Sequence, residues 1–348
     1  MKVLVEGFDH RPGEHCASTA LSNILRFHGL PLSESMVFGL AGGLGFFYIR
    51  SDDLSPTRMY HGRTLTLETD LCENAGLPIS SGPEEDDDRA WQSLQHQLDA
   101  GVPVMLSTDT FYLPYQNTTS HFPGHRAVAV GYDEGAGLVY LADRKLGEYQ
   151  SVARSDLRRS RNARDYPISC HNEYLYFRPG PVKLGRPLPE VIRTALARNA
   201  RWMLEPGDEA MPQAVSGLPA MRQLAEDLPK WQDLADWSWA ARFGFQIIIK
   251  RGSGGLFFRS LYRDFLAEAG QVVPALGDQC LAETTDGIAR DWGEVAALLK
   301  DQSERETCSP RLFGQAGRRV ADLAEREEVL FGDLARIADD EGPWANAG

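Results

Sequence analysis

Across the stretch GEHCASTALSNILRFHG (Gly13–Gly29), apolar residues recur near every 3.6 positions: Ala17, Ala20, Leu21, Ile24, Leu25, then Phe27 or His28. That period predicts an amphipathic helix. Gly13 supplies a turn ahead of it, and Gly29 and Pro31 stop it. Ser33 and Glu34 open a second, short helix, which Gly39, Gly42, Gly43 and Gly45 break; this glycine-rich segment is either a flexible loop under a site or a plain tight turn. A further helix is predicted from about Ala90 to Leu98, behind the acidic run EEDDD at Glu84–Asp88, whose charges complement a helix N-terminus. GVPVMLSTD reads as a strand, HRAVAVGYD and GLVYLADR as a hairpin turning at Glu134–Gly137, and EYLYFRP as one more strand. Between the hairpin and that last strand, RSDLRRSRNARD reads as a basic surface helix.

After PGPVKLGRPLP, rich in Pro and Gly, the pattern turns helical, which predicts a domain boundary near residue 180: residues 1–180 form one domain, 181–348 a mainly helical second. VIRTALARNARWMLEP keeps a 3.6 period, and further helices are expected near Met221–Trp239, Leu256–Ala269, Ile288–Leu299 and Val320–Ile337. No internal repeat stands out.

The predicted elements place chemistry in particular positions. Cys16 falls in the first turn of its helix, beside free backbone N–H groups and the positive helix end, which favour thiolate. It reads either as a nucleophile or as a small buried cysteine packing a helix start. A cysteine nucleophile needs a base and a group to orient that base. His125 begins one hairpin strand and Asp143 ends the other, 18 residues on, so the two ends lie side by side. Cys, then His, then Asp is the chain order of papain-like enzymes. The other reading has His125 as a strand-start surface residue and Asp143 as a turn former. His10, His15 and Cys16 lack a fourth ligand nearby in sequence, so no metal site is expected.

Composition narrows the classes. The chain has 348 residues and a formal charge of −13, which argues against nucleic acid and anionic membranes as partners. MKVLVEGFDHRPGEH carries no long apolar region, and no apolar run approaches the ~18 residues of a membrane span. Five scattered cysteines without a CxxC pair point to a reducing cytoplasm.

Several segments together resemble the butirosin biosynthesis protein H family: HCASTALSNILRFHGL, SESMVFGLAGGLGFFY, DAGVPVMLSTDTFYLPY, HFPGHRAVAVGYDE and RGSGGLFFRSLYRDFLAEAG. The resemblance runs from about Glu14 to Ala269. It implies an α+β, papain-like catalytic domain followed by a helical domain, with Cys16 as nucleophile, His125 as base and Asp143 as orienter. It implies acyl transfer from a phosphopantetheine thioester, on an acyl carrier protein or a CoA-type donor, to a small-molecule amine in antibiotic biosynthesis, with no other cofactor. Papain-like enzymes usually carry a Gln six residues before the Cys; here His10 occupies that position. His10 or the Cys16 N–H is then the oxyanion donor. The glycine-rich loop and the second domain are candidates for covering the site.

Other residues have paired readings. Asp109, Tyr112 and Tyr115 sit just past a strand end, where a carboxylate between aromatics suits a cationic amine; alternatively they cap and pack that end. Arg154, Arg158, Arg159, Arg161 and Arg164 put five arginines in eleven residues, either a dock for an acidic carrier or a solvated helix face. KRGSGGLFFR, with Arg251 and Arg259, resembles a phosphate cradle but lacks the P-loop Lys-Ser/Thr, which argues against nucleotide binding; it reads as a structural turn or as a contact for phosphopantetheine or substrate. The same triad with water as acceptor would make a cysteine peptidase or amidohydrolase, and a silent triad a papain-like binding module.

Overall fold

The computed structural model describes residues 1–164, 169–205 and 214–340. The chain is mixed α+β, with antiparallel sheets and a helical C-terminal region. It divides into two compact units, and neither is one continuous piece of chain. Unit 1 joins Met1–Val37 to Gly76–Gly185; unit 2 joins Phe38–Ala75 to the chain from Arg186 on. One change of unit thus falls at Gly185, and Phe38–Ala75 lies in the same unit as the chain from Arg186 on.

Unit 1 is built on a seven-stranded antiparallel sheet. Its order runs Ile79–Gly82, Tyr174–Phe177, Val104–Thr108, His125–Asp133, Leu138–Ala142, Gln150–Ala153. Lys2–Leu4 pairs with Gly131–Asp133, beyond the point where Val104–Thr108 has paired with His125–Ala129. The central strands Val104–Thr108 and His125–Asp133 are buried on both faces along most of their length, as strands covered on both sides are. The helix Cys16–Phe27 packs on the His125–Asp133 strand and is buried from Cys16 to Leu25 on every side. Its buried polar side chains each find a partner: Ser18 and Thr19 donate to Glu34, Ser22 to the Leu32 carbonyl, and Asn23 to the Arg11 carbonyl. The helix ends at Gly29 (φ +83°) with Gly29 N–H on the Arg26 carbonyl and Leu30 N–H on the Leu25 carbonyl. This paired C-terminal closure requires the left-handed residue that the sequence places there.

Unit 2 contains a three-stranded antiparallel sheet, Ala214–Ser216, Leu44–Arg50 and Arg58–Arg63. Of the two readings of the glycine-rich segment the tight turn holds: Gly42 (φ +62°) donates its N–H to the Gly39 carbonyl and Gly43 to that of Phe38, and the chain then enters the buried strand Leu44–Arg50. A Cβ on Gly43 would meet the Phe38 carbonyl at 2.7 Å, so close packing demands glycine there. The helix expected over Met221–Trp239 is broken. It stops at Asp227, a 3-10 turn covers Leu228–Asp233, and a new helix spans Trp237–Ile249. Pro229, without an N–H, opens that turn instead of continuing the helix. The helices Arg259–Gly270, Leu281–Ser303 and Pro310–Asp339 complete the unit. Among the described residues no helix is long and apolar enough to cross a membrane.

Arg259 is the polar node of unit 2. Its side chain and that of Glu327 are fully buried, with Nε to Oε1 at 3.0 Å and Nη2 to Oε2 at 2.7 Å. Nη1 also donates to the carbonyls of Gly45, Gly62 and Phe257, and Trp292 Nε1 donates to Glu327 at 3.0 Å. Three successive non-glycine residues before Arg259 are left-handed (Leu256, Phe257 and Phe258, φ 38°, 61° and 68°). Such strain persists only where the surroundings over-determine it. Here Phe257 N–H bonds the Ile248 carbonyl and Arg259 holds the Phe257 carbonyl. KRGSGGLFFR is thus a structural turn, and Arg259 is spent inside the fold. Removing one partner of a buried, hydrogen-bonded ion pair typically costs about 3–5 kcal/mol. Arg259→Met should therefore lower the thermal midpoint of unfolding by many degrees, measured by calorimetry, whereas Arg222→Met at the exposed Arg222–Glu328 pair should leave it nearly unchanged.

Candidate active site

Cys16 is the first residue of its helix, after His15 in extended conformation as N-cap. Its amide is among the N–H groups that have no partner within a helix. The first turn is pinned by Glu34, whose carboxylate accepts from Glu14 N–H (2.9 Å), His15 N–H (2.8 Å), Ser18 Oγ (2.8 Å) and Thr19 Oγ1 (3.0 Å). Gly13 is needed beneath it, because a Cβ there would collide with the Glu34 carboxylate and the Thr19 hydroxyl. The preceding segment is laced to the strand end that carries Asp143. Gly13 N–H donates to the Arg144 carbonyl at 2.6 Å, and Arg144 Nη1 donates to the Glu14 carbonyl at 3.0 Å.

The hairpin brings His125 and Asp143 together by register. Val128 pairs with Ala142, so Asp143 lies beside Ala127, one step beyond the end of its strand. His125 is two residues from Ala127 and shares its face, leaving imidazole and carboxylate as diagonal neighbours. His125 Nε2 and Asp143 Oδ2 are 2.8 Å apart, with both side chains almost fully buried. Nε2 being committed to Asp143, the other ring nitrogen is the one left to hydrogen-bond the Cys16 thiol. Burial alone would raise the thiol pKa, but the adjacent His15 and the hydrogen bond from His125 hold it well below its ordinary value. Burial likewise opposes charge on His125, but Asp143 and then Cys16 push its pKa up to about 10. Asp143 stays below the usual carboxylate range: burial opposes this, but His125, a Tyr115 hydrogen bond and the Arg144 amide prevail. The three shifts together favour a buried thiolate–imidazolium–carboxylate series.

Two neighbours complete the carboxylate's shell. Tyr115 Oη donates to Asp143 Oδ2 at 2.8 Å, and Gln116 Nε2 donates to the same oxygen at 2.6 Å. The Tyr115 hydroxyl, a candidate substrate contact, is engaged in holding Asp143. Gln116 belongs to no recognisable motif. Its only sequence signal is its place after Tyr115, where Leu113-Pro114 starts the 3-10 turn Pro114–Gln116.

The remaining expected residues fall elsewhere. His10 lies beside the series, with Nδ1 accepting from Asn23 and Nε2 donating to the Asp143 carbonyl at 3.1 Å. Both ring nitrogens thus have partners. Asp109 is fully buried and organises its own loop, accepting from Phe111 N–H, Phe122 N–H and His121 Nδ1 (2.6 Å). Its carboxylate is not presented to an amine. Tyr112 packs edge-on against Phe111, with the Arg159 guanidinium over its ring at 5.2 Å.

The arginine cluster is not a free basic face. Arg158 pairs with Asp87 (2.7 Å), Arg164 with Glu85 and Arg159 with Asp156 (2.6 Å), while Arg154 stacks on Trp91. Arg161 is buried and donates to the Ala90 and Asn172 carbonyls, so it cannot meet a partner. The acidic run Glu84–Asp88 is the counter-charge of this helix, a pairing between segments ~70 residues apart that no local pattern reveals.

The chain is thus a mixed α+β protein that brings a buried thiol, imidazole and carboxylate together in series. The family model described as Butirosin biosynthesis protein H, N-terminal, matches residues 15–144, a span that encloses Cys16, His125 and Asp143. A second model, Domain of unknown function (DUF4872), matches residues 155–334. The chain belongs to the butirosin biosynthesis protein H family. No curated protein matches it.

The depressed thiol pKa has a direct consequence. The thiolate alkylates, so a thiol held below its ordinary value keeps its reactivity to lower pH than an ordinary thiol does, and loses it on further acidification. Peptide-mapped iodoacetamide labelling should therefore find Cys16 modified fast at pH 7. Cys170 and Cys72, pushed up by burial to about 11 and 12, should stay unlabelled. His125→Ala removes a stabilising hydrogen bond and should move the Cys16 profile to higher pH; an unmoved profile contradicts the coupling.

Proposed function

We propose that this chain is a cysteine-dependent acyltransferase of antibiotic biosynthesis, with unit 1 acting as a papain-like catalytic unit. The observation that carries the reading is the Cys16 thiol at a helix start, polarised by His125, which Asp143 holds at 2.8 Å. A cysteine on a buried helix against an antiparallel sheet bearing His and Asp supports the papain-like assignment. The family resemblance supports the donor, a carrier-protein or CoA-type thioester, and the acceptor, a small-molecule amine.

In this reading Cys16 thiolate attacks the thioester carbonyl, and the tetrahedral oxyanion forms next to the Cys16 N–H at the positive helix end. The intermediate collapses with loss of the donor thiolate, which takes a proton from the His125 imidazolium. The amine then attacks the acyl-enzyme and neutral His125 accepts its proton. Collapse releases the amide and restores the Cys16 thiolate–imidazolium pair. Tyr115 and Gln116 keep Asp143 oriented through both half-reactions. A carrier docks by contacts other than Arg158, Arg159 and Arg164, which are ion-paired within unit 1, and Arg161, which is buried.

Intact-protein mass spectrometry with an acyl-pantetheine thioester tests this. Wild type should gain one acyl mass, which an added amine discharges as amide. Cys16→Ala should gain none. His125→Ala should acylate on the order of 10²–10⁴-fold more slowly, and Asp143→Asn less severely reduced. Release of free acid without a lasting adduct would replace transfer by hydrolysis, and no adduct with no turnover would refute catalysis.

A further inference from the structure

Two imidazoles hydrogen-bond the Cys16 thiol, and only His125 has a part in the proposed acyl transfer. The second is His15, the N-cap of the Cys16 helix, which is buried like the cysteine (3% and 7% exposed). Its ring is held from behind. Nδ1 lies 3.1 Å from Ser18 Oγ, and Ser18 Oγ lies 2.8 Å from Glu34 Oε1. A serine hydroxyl has one proton to give. The Glu34 carboxylate is closer to it than the His15 carbonyl, at 3.4 Å, and takes that proton. Ser18 Oγ therefore meets the ring with a lone pair, and Nδ1–H donates to it. The Ser18 amide approaches Nδ1 only to 3.4 Å, the weaker contact. With Nδ1 committed as a donor, Nε2 is the nitrogen left to bond the sulfur, and in the neutral ring it carries a lone pair.

This series repeats, one hydroxyl longer, the one through His125, where Asp143 holds one ring nitrogen and the thiol takes the other. We propose that His15 is a second acceptor of the Cys16 thiol proton, held for that task by Glu34 through the Ser18 hydroxyl. The S–H bond breaks, an Nε2–H bond forms, and the electron pair stays on sulfur, so thiol and imidazole become thiolate and imidazolium. The charged groups around this pair are His125 and Asp143 from the hairpin, Glu34 from the following helix, and Glu14, Arg144 and Lys145 beside the first turn. Of these, Glu34 is linked to the His15 ring through Ser18, and a negative group so placed favours the ring's charged form. Burial raises the thiol pKa, and the charge of His15 is the largest influence against it. The thiolate then does not depend on His125 alone. The inference rests on Cys16 being the reactive thiol, as the acyl-transfer reading has it.

The pH profile of iodoacetamide alkylation at Cys16, peptide-mapped on the full chain, tests the assignment. His15→Asn retains a good N-cap but cannot take the proton. Its pH midpoint should rise by about one unit or more, each unit being about tenfold less thiolate below the midpoint. A residue that only capped the helix would leave the profile unmoved. Ser18→Ala keeps the imidazole but cuts it off from Glu34, and should raise the midpoint by less. His125→Ala should keep a lower midpoint than the double variant His15→Asn, His125→Ala, whose thiol is left with burial unopposed. Circular dichroism checks folding; should His15→Asn not fold, the Ser18→Ala profile decides. A His15→Asn profile that superimposes on wild type overturns the proposal, and an unmoved Ser18→Ala profile removes Glu34 from it. Alkylation needs no acyl donor, so the two readings fail separately. Shifted profiles without any acylation refute acyl transfer and leave His15 in place; acylation with unmoved profiles does the reverse.

Discussion

Glu34 holds the first turn of the Cys16 helix through two amides and two hydroxyls, and the position of the thiol follows from that one carboxylate. An acid at a helix N-terminus is favoured by the aligned peptide dipoles, and hydrogen bonds to a charged acceptor are the stronger kind. Gly13 passes close enough to that carboxylate that no side chain fits. The same segment is tied at Gly13 and Glu14 to Arg144, the residue after Asp143. Helix start and strand end are thereby locked together, and the imidazole between them has little freedom to move.

Burial gives this arrangement its electrostatic character. Each of the three groups would favour its neutral form if buried alone, since desolvation penalises charge. Together they hold opposite charges in alternation, and in a medium poorer in water each attraction is stronger than at the surface. The additional donors on Asp143 Oδ2, from Tyr115 and Gln116, keep the carboxylate ionised and immobile. The loop that supplies them is anchored at its other end by Asp109, which is why a residue that resembles a substrate contact is a loop organiser.

Unit 2 uses the same device for a different end. Arg259 and Glu327 are as buried as the Cys16 series, but every polar atom of the guanidinium is used within the fold. Nothing is left over for chemistry. Whether a charged residue is structural or available is decided by that local accounting of donors and acceptors, not by residue type.

The features the sequence determined are local. The 3.6 period and the Gly29 stop define the Cys16 helix, because its closure depends on residues within one turn. Alternation and a short turn define the hairpin, and its register alone brings His125 to Asp143. Hence the thiol, imidazole and carboxylate were legible as a set. What only the tertiary structure decided depends on segments far apart in the chain. Phe38–Ala75 joins the helical unit because the strand Leu44–Arg50 pairs with Ala214–Ser216, a partner more than 160 residues away. Arg161 is buried and its neighbours are neutralised because Glu84–Asp88 lies across from them. Gln116 meets Asp143 because a loop folds back over the hairpin. Periodicity records which face of an element is buried; it carries no information about which distant element covers that face.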